Sequence, residues 1–242
     1  MQKFGIDISR WQGDFNLAQA VAEGVQFVII KCGGSDKGVY TDVQFENNYR
    51  KAKELGIPCG AYWYSKAMSV DEAKRDAEYC YGLLRGKQFE LPIFIDVEDK
   101  QQCSIGKDKL TSVIDAFLSY LEQRKYYVGI YSSESYFNNV MDENYLKHYC
   151  HWCARWSTKR PEITHGIWQF GGETNKIRSN KICGITVDQD YLYVDYESAI
   201  KRLGLNGYGY DPTVHDKLVE LHNLGYNYSV IADELLKIME EQ

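Results

Sequence analysis

The sequence predicts an α/β fold: an irregular TIM-like (β/α) barrel of about eight strands with degenerate last helices, followed by a small C-terminal helical segment. Three observations carry this expectation. Short apolar runs rich in β-branched and aromatic residues alternate with longer stretches of helical periodicity through the first half of the chain, which implies a parallel sheet with right-handed crossovers. Three further strand-like runs then follow with little helix between them. The length of 242 residues suits one large barrel, or a domain of about 200 residues with an appendage.

Residues 4–8 read as the first strand, followed by a helix at 17–23. Residues 27–32 form the second strand, with helix at 45–55, and 58–64 the third. Ser69 is a candidate N-cap for a helix over 70–84. Residues 92–97 make the fourth strand, with Pro92 suited to its first position. Apolar residues Val113, Ile114, Phe117, Leu118 and Leu121 give the helix at 109–123 one buried side, and 127–131 is the fifth strand. Strands at 150–154, 166–170 and 185–187 complete the set. The division expected is a catalytic barrel at 1–204 and a linker with a small helical appendage at 205–242.

Composition narrows the function. With 34 acidic against 28 basic residues the formal charge is -6, which argues against nonspecific binding to nucleic acid or to an anionic membrane. Seven cysteines lack the spacing of a disulfide framework and are expected as reduced thiols. MQKFGIDIS has no signal-peptide apolar region, so the expectation is a protein made in the host cytoplasm that acts after release. Twenty Tyr and five Trp, apolar faces with polar tips, are natural linings for a carbohydrate groove.

The chemistry concentrates at LPIFIDVED, residues 91–99, where an apolar strand runs into Asp96, Glu98 and Asp99. Side chains alternate along a strand, so Asp96 and Glu98 share a face with roughly 6–7 Å between successive same-side positions. Crowded carboxyls raise one another's pKa and can leave an acid beside a base near neutral pH. Sites of α/β barrels lie at the C-terminal ends of the strands. Asp7 ends the first strand, Asp96 and Glu98 the fourth, and Asp188 and Asp190 follow the last, so three strand ends are expected to bring carboxylates to one rim.

These residues carry a resemblance. GIDISRWQG at 5–13, FIDVE at 94–98 and VDQDYLY at 187–193 resemble the signatures of glycoside hydrolase family 25, the Chalaropsis-type lysozymes that include many phage endolysins; FVIIKCGGS, GAYWYS and IWQFGG support it. The similarity runs over about residues 3–203 in consistent order. It implies a barrel with an irregular second half that cleaves the β-1,4 bond between N-acetylmuramic acid and N-acetylglucosamine in bacterial peptidoglycan, with no cofactor and no metal. By position, Glu98 matches the general acid, Asp96 its carboxylate partner, and Asp7 and Asp188 two further acids of the cleft. Asp96, deeper and able to accept hydrogen bonds, is expected to stay ionised. Tyr62, Tyr64, Trp156 and Gln169 stand where the family tends to contact sugar. Asp190 occupies a place where the family often has Asn, and is expected either to raise the pKa of Glu98 or to face solvent. Retaining glycosidases with a carboxylate nucleophile set their two carboxyls across the scissile bond. Neighbours on one strand do not, so the substrate's own acetamido oxygen is the favoured nucleophile.

Two rival readings stand beside this one: a non-catalytic glycan-binding barrel, and a chitin-type hydrolase sharing the Asp-x-Glu strand end. HYCHWC at 148–153 offers two His and two Cys, but strand alternation sends them to opposite faces, against a zinc site. CGGSDKG lacks the phosphate-loop pattern and reads as a rim turn. Beyond the Gly- and Tyr-rich stretch at 203–212, helices at 214–223 and 229–240 are expected to bind cell wall or to self-associate.

Overall fold

The computed structural model describes residues 2–209. In chain order the elements are β1 (Lys3–Ile8), α1 (Leu17–Ala22), β2 (Phe27–Gly34), β3 (Tyr40–Thr41), α2 (Phe45–Glu54), β4 (Cys59–Tyr64), α3 (Val70–Leu84), β5 (Ile93–Asp96), α4 (Lys107–Glu122), β6 (Val128–Ser133), α5 (Glu134–Asn139), α6 (Glu143–Leu146), β7 (Cys150–Ala154), β8 (Ile167–Gly171), β9 (Lys181–Ile182), β10 (Ile185–Thr186), β11 (Asp188–Leu192) and α7 (Tyr196–Leu203). Strands β1, β11, β8, β7, β6, β5, β4 and β2 hydrogen-bond in that order, and the β1–β2 pairing closes them into a barrel, with β3 added on β2. The predicted barrel is therefore present.

Its closure differs from the expectation of an all-parallel sheet. Residues 185–187 do not supply the last barrel strand, because Ile185–Thr186 belongs to a small hairpin with β9. The eighth barrel strand is β11, and it runs antiparallel to both β8 and β1. The cause lies in the connection. A parallel strand needs a crossover that carries the chain back to the bottom of the barrel, and between β8 and β11 the chain makes only the β9–β10 hairpin. The strand thus starts at the rim and descends, and Asp188 and Asp190 lie within it rather than after it.

The helices form where local chemistry favours them. The Ser69 hydroxyl accepts from the Glu72 backbone N–H and caps α3, whose Ala73, Ala77, Cys80 and Leu84 are buried at helical spacing. Helix α4 packs on α3 and buries Leu110, Val113, Ile114, Phe117, Leu118 and Leu121. Strand alternation then sorts the barrel into two layers. Val28, Ile30, Ile6 and Ile8 point outward to the helices, while Phe27, Ile29, Phe94, Trp152, Ile167 and Leu192 fill the lumen. A Cβ on Gly5 would come within 2.4 Å of the Phe27 ring, so glycine there lets that ring cross the barrel floor.

The floor is sealed by the end of the described chain. Helix α7 stops at Gly204 in a left-handed turn, and residues 205–208, the start of the expected linker, fold back on the barrel. Asn206 is fully buried; its Oδ1 accepts from Tyr127 N at 2.7 Å and its Nδ2 donates to Leu91 O at 2.9 Å. The helices expected at 214–223 and 229–240, with the wall-binding and self-association roles assigned to them, lie outside the described residues.

All seven cysteines are free thiols. Cys150 packs in the inner cluster and Cys153 in the outer one, as alternation requires. His151 is buried with its ring 4.6 Å from that of Phe137, while His148 is 4.0 Å from the Tyr149 ring. Among the described residues no group of three or more His, Cys, Asp or Glu is arranged to hold a metal ion.

Candidate active site

The apolar floor gives way upward to a polar mouth. There a cleft of about 440 Å³ is lined by Asp7, Lys31, Tyr62, Tyr64, Asp96, Glu98, Tyr131, Trp152, Trp156, Gln169 and Asp188. Each arrives by strand parity: Lys31 two residues above Ile29, Asp96 two above Phe94, Gln169 two above Ile167. Of the five carboxylates expected to converge, Asp7, Asp96, Glu98 and Asp188 line this one cleft and Asp190 does not. Asp7 and Asp188 are register partners across β1 and β11. The reversed direction of β11 therefore delivers its first residue to the rim, where the parallel strands deliver their last.

The Asp-x-Glu pair is held by its backbone. Asp96 ends β5 and its carbonyl accepts from Ser65 N, while Val97 N donates to Tyr131 O at 2.9 Å and Val97 O accepts from the Ser132 hydroxyl at 2.6 Å. Glu98 stands at the exposed mouth, Asp96 is buried, and one Asp96 oxygen, Oδ1, accepts no hydrogen bond among the described residues. Asp99, the third carboxylate of the motif, turns to structural work. It pairs with Lys66 at 3.0 Å and accepts from the backbones of Gln101 and Gln102. Burial pushes its pKa up, but those hydrogen bonds and the Lys66 ammonium hold it below the ordinary value.

Electrostatics follow from burial and like charge. Desolvation raises Glu98, with Lys31 opposing and Asp99 adding. Burial raises Asp96 well above a normal aspartate, helped by Glu98 and opposed by Lys31. Burial works against the expectation that Asp96 stays ionised: depth strips it of water, and its Oδ1 has no donor among the described residues. Asp188 is pushed up to about 6 by burial, then by Glu98 and Glu173. Asp7 is raised well above its usual range by burial, Asp188 and Asp190, against a lowering bond from Gln169.

Gln169 organises the centre. Its Nε2 donates to Asp7 Oδ2 at 2.9 Å, and its Oε1 accepts from the Tyr131 hydroxyl at 2.8 Å and the Trp156 indole at 3.0 Å. Tyr62 and Tyr64 line one wall together, as alternation predicted, and flank the Lys31 ammonium, 5.6 and 4.6 Å from their ring centroids. Trp156 is 38% exposed, which leaves an aromatic face open to a ligand. Asp190 departs from both expectations for it. It is fully buried below the rim rather than solvated, and its burden falls on Asp7, two residues up on the neighbouring strand, rather than on Glu98.

Several lining residues were not singled out from sequence: Lys31, Tyr131, Trp152, and the exposed Trp11 at the rim. The signal for Lys31 was present, a lone cation in the apolar run FVIIKCGG at the inward parity of Phe27 and Ile29. Gly172 was also missed; a Cβ there would lie 1.8 Å from Asp188 Oδ1, so glycine is what lets β8's exit pass beside that carboxylate.

Comparison with known proteins agrees with this geometry. The model of "Glycosyl hydrolases family 25" matches residues 6–178. An autolytic lysozyme of Clostridium acetobutylicum is 27% identical over 159 residues, 66% of this chain and 47% of that protein, so the chain spans about half the length of this relative. Lysozyme M1 of Streptomyces globisporus is 24% identical over 201 residues, covering 74% of this chain and 67% of that one. Among solved structures, the bacterial lysozyme from Streptomyces coelicolor superposes with a TM-score of 0.69 at 23% identity, over 82% of this chain and 95% of its own. With its barrel, its converging carboxylates and a family match over most of its length, this chain belongs to glycosyl hydrolase family 25.

Proposed function

We propose that the protein is a peptidoglycan hydrolase, an N-acetylmuramidase that cleaves the β-1,4 bond between N-acetylmuramic acid and N-acetylglucosamine. The observation that carries this reading is the convergence of Asp7, Asp96, Glu98 and Asp188 in one cleft walled by Tyr and Trp. A glycosidic bond breaks when its leaving oxygen is protonated and the positive charge growing at the anomeric carbon is stabilised. Glu98 stands at the mouth and burial raises its pKa, which supports its role as the acid that protonates the leaving oxygen. Asp96 lies on the same strand rather than across the bond, which supports attack by the substrate's acetamido oxygen. Its unpartnered Oδ1 is an acceptor available to the acetamido N–H. Such docking favours the ionised form of Asp96 and shifts the proton of the pair to Glu98, where the chemistry uses it.

The test is reducing-end release from purified peptidoglycan by wild type and Glu98→Gln, with mass analysis of the fragments. The expected result is muropeptides ending in reducing N-acetylmuramic acid, falling by two or more orders of magnitude in the variant, as removal of a general acid implies. Wall binding without release by either protein would replace this reading with a glycan-binding barrel. Faster cleavage of chitin oligomers than of peptidoglycan would replace it with a chitin-type hydrolase, and inversion at the anomeric carbon would exclude the acetamido nucleophile.

A further inference from the structure

We propose that Arg10, Trp11 and Tyr40 form an outer subsite of the cleft that takes an N-acetylmuramoyl unit away from the scissile bond, with Trp11 stacked on its ring and the Arg10 guanidinium paired with a carboxylate of its acidic substituent. The proposal rests on the hydrolase reading for the identity of the glycan, but it concerns binding and is measured apart from cleavage.

The three residues reach the mouth from two neighbouring segments. Arg10 and Trp11 lie in the turn Arg10–Gln12 just after β1, and Tyr40 lies in β3, the strand added on β2. All three line the same cleft as the carboxylates. Backbone hydrogen bonds fix the turn. Trp11 N donates to the Ser9 hydroxyl oxygen at 3.2 Å, Ser9 N to Gln12 Oε1 at 2.9 Å, and Arg10 N to the buried carboxylate of Asp42 at 3.1 Å. On this fixed turn the Trp11 side chain is 77% exposed. The indole therefore contributes little burial to the fold, while its position is set in advance, which is what stacking on a sugar face requires.

Arg10 brings the charge. Its guanidinium carbon lies 5.2 Å from the Trp11 ring centroid and 5.1 Å from that of Tyr40, so it rests against two aromatic rings. No carboxylate among the described residues forms an ion pair with it, Asp36 on the same flank included. The other cation lining the cleft, Lys31, is buried and acts on Asp96 and Glu98, whereas Arg10 acts on Tyr40. The acids at the centre oppose an anionic group on the strand, and Arg10 is the cation of the cleft left open to one. The planar fork of a guanidinium matches a carboxylate through two parallel hydrogen bonds. N-acetylmuramic acid carries such a carboxylate on its lactyl ether, and a peptide joined there brings carboxylates of its own; N-acetylglucosamine carries none.

Calorimetric titration on a Glu98→Gln background, where the strand is not consumed, reads the subsite directly. The probes are hexasaccharides: a chitin oligomer without carboxylates, the alternating N-acetylglucosamine and N-acetylmuramic acid strand stripped of peptides, and the same strand with its peptides intact. Arg10→Met is expected to weaken carboxylate-bearing strands by about tenfold or more, to leave the chitin oligomer within about twofold, and to flatten the salt dependence of binding. Trp11→Ala is expected to weaken every probe by about threefold to tenfold. A loss on the stripped strand assigns the lactyl carboxylate to Arg10, and a loss on the intact strand alone assigns a peptide carboxylate. With Glu98 in place, both variants are expected to raise KM for peptidoglycan with little change in kcat. An Arg10→Met variant that binds as before, or that loses charged and uncharged probes equally, overturns the pairing; unchanged binding by Trp11→Ala overturns the stacking. The expected binding losses without any cleavage by wild type would leave the subsite standing and sink the hydrolase reading, whereas cleavage with an unchanged KM in both variants would do the reverse.

Discussion

Asn206→Ala tests how the barrel floor is held. The side chain satisfies two backbone groups at once, Tyr127 N at 2.7 Å and Leu91 O at 2.9 Å. Alanine leaves both without partners at a site where Asn206 and Leu91 are almost completely excluded from water. A buried polar group left unsatisfied costs about 1–3 kcal/mol; with Tyr127 only half buried, the pair amounts to roughly 2–4 kcal/mol. The backbone adds to this, because Asn206 sits at a φ of 53°, a left-handed conformation that Asn tolerates better than Ala by up to about 1 kcal/mol. The expected loss is therefore about 2–5 kcal/mol, a fall in Tm on the order of 10 °C for a chain of this size. Urea melts followed by circular dichroism measure it, with Asn206→Gly as the control that relieves the backbone while still deleting both bonds. A loss below about 1 kcal/mol in the alanine variant would refute the claim that this residue, rather than the apolar plug around it, clamps β5 and β6 at the floor.

Two further outcomes follow from the carboxylate cluster. Lys31→Met removes a cation that lowers both Asp96 and Glu98, so both limbs of the pH–kcat/KM profile should move upward, by about one unit for loss of an opposite charge; a profile that keeps its position would show that Lys31 does not set these acids. Asp188, whose folded pKa of about 6 lies above its ordinary value, binds its proton more tightly in the folded state, so its contribution to stability is full in acid and declines as pH rises from about 4 to about 6. Asp188→Asn should remove that decline and be more stable than wild type near neutrality while losing activity, which denaturant melts across this pH range and the peptidoglycan assay check together.

How much of this was legible in the sequence depends on whether local pattern or distant partners decided the outcome. The helix at 70–84 was readable to the residue, because a serine cap and a stripe of small apolar side chains fix both ends of Val70–Leu84 locally. The buried parallel strand FVIIKCGG was readable too, though it extends to Gly34 rather than residue 32, since its last pairings are with β3 and β4. The last barrel strand was misplaced by three residues. Ile185 and Thr186 have the β-branched chemistry of a strand and do form one, but whether it joins the barrel depends on how the chain returns from β8, which no local pattern records. Asp96 and Asp190 show the same limit in the site. Their inward parity could be read, but the burial that raises Asp96 and sets Asp190 beneath Asp7 depends on seven other strands. The end of the barrel near residue 204 rested on a Gly- and Tyr-rich texture, whereas Asn206 belongs to the floor through hydrogen bonds to residues far away in sequence.

The reversed final strand has a consequence for how this barrel can be altered. In a regular barrel each rim loop leads into a helix that carries the chain back to the opposite end. Here the segment 172–187 leaves the rim at the end of β8 and returns to the rim at the start of β11, carrying only the β9–β10 hairpin. Both of its anchors, Gly171 and Asp188, are already fixed by ladder partners, Gln189 and Asp7 respectively. Its variable part is the exposed residues: Ile182 and Val187 are buried against the outer core and Cys183 N donates to Glu23 after α1, so these hold the segment to the barrel while the exposed residues between them can change.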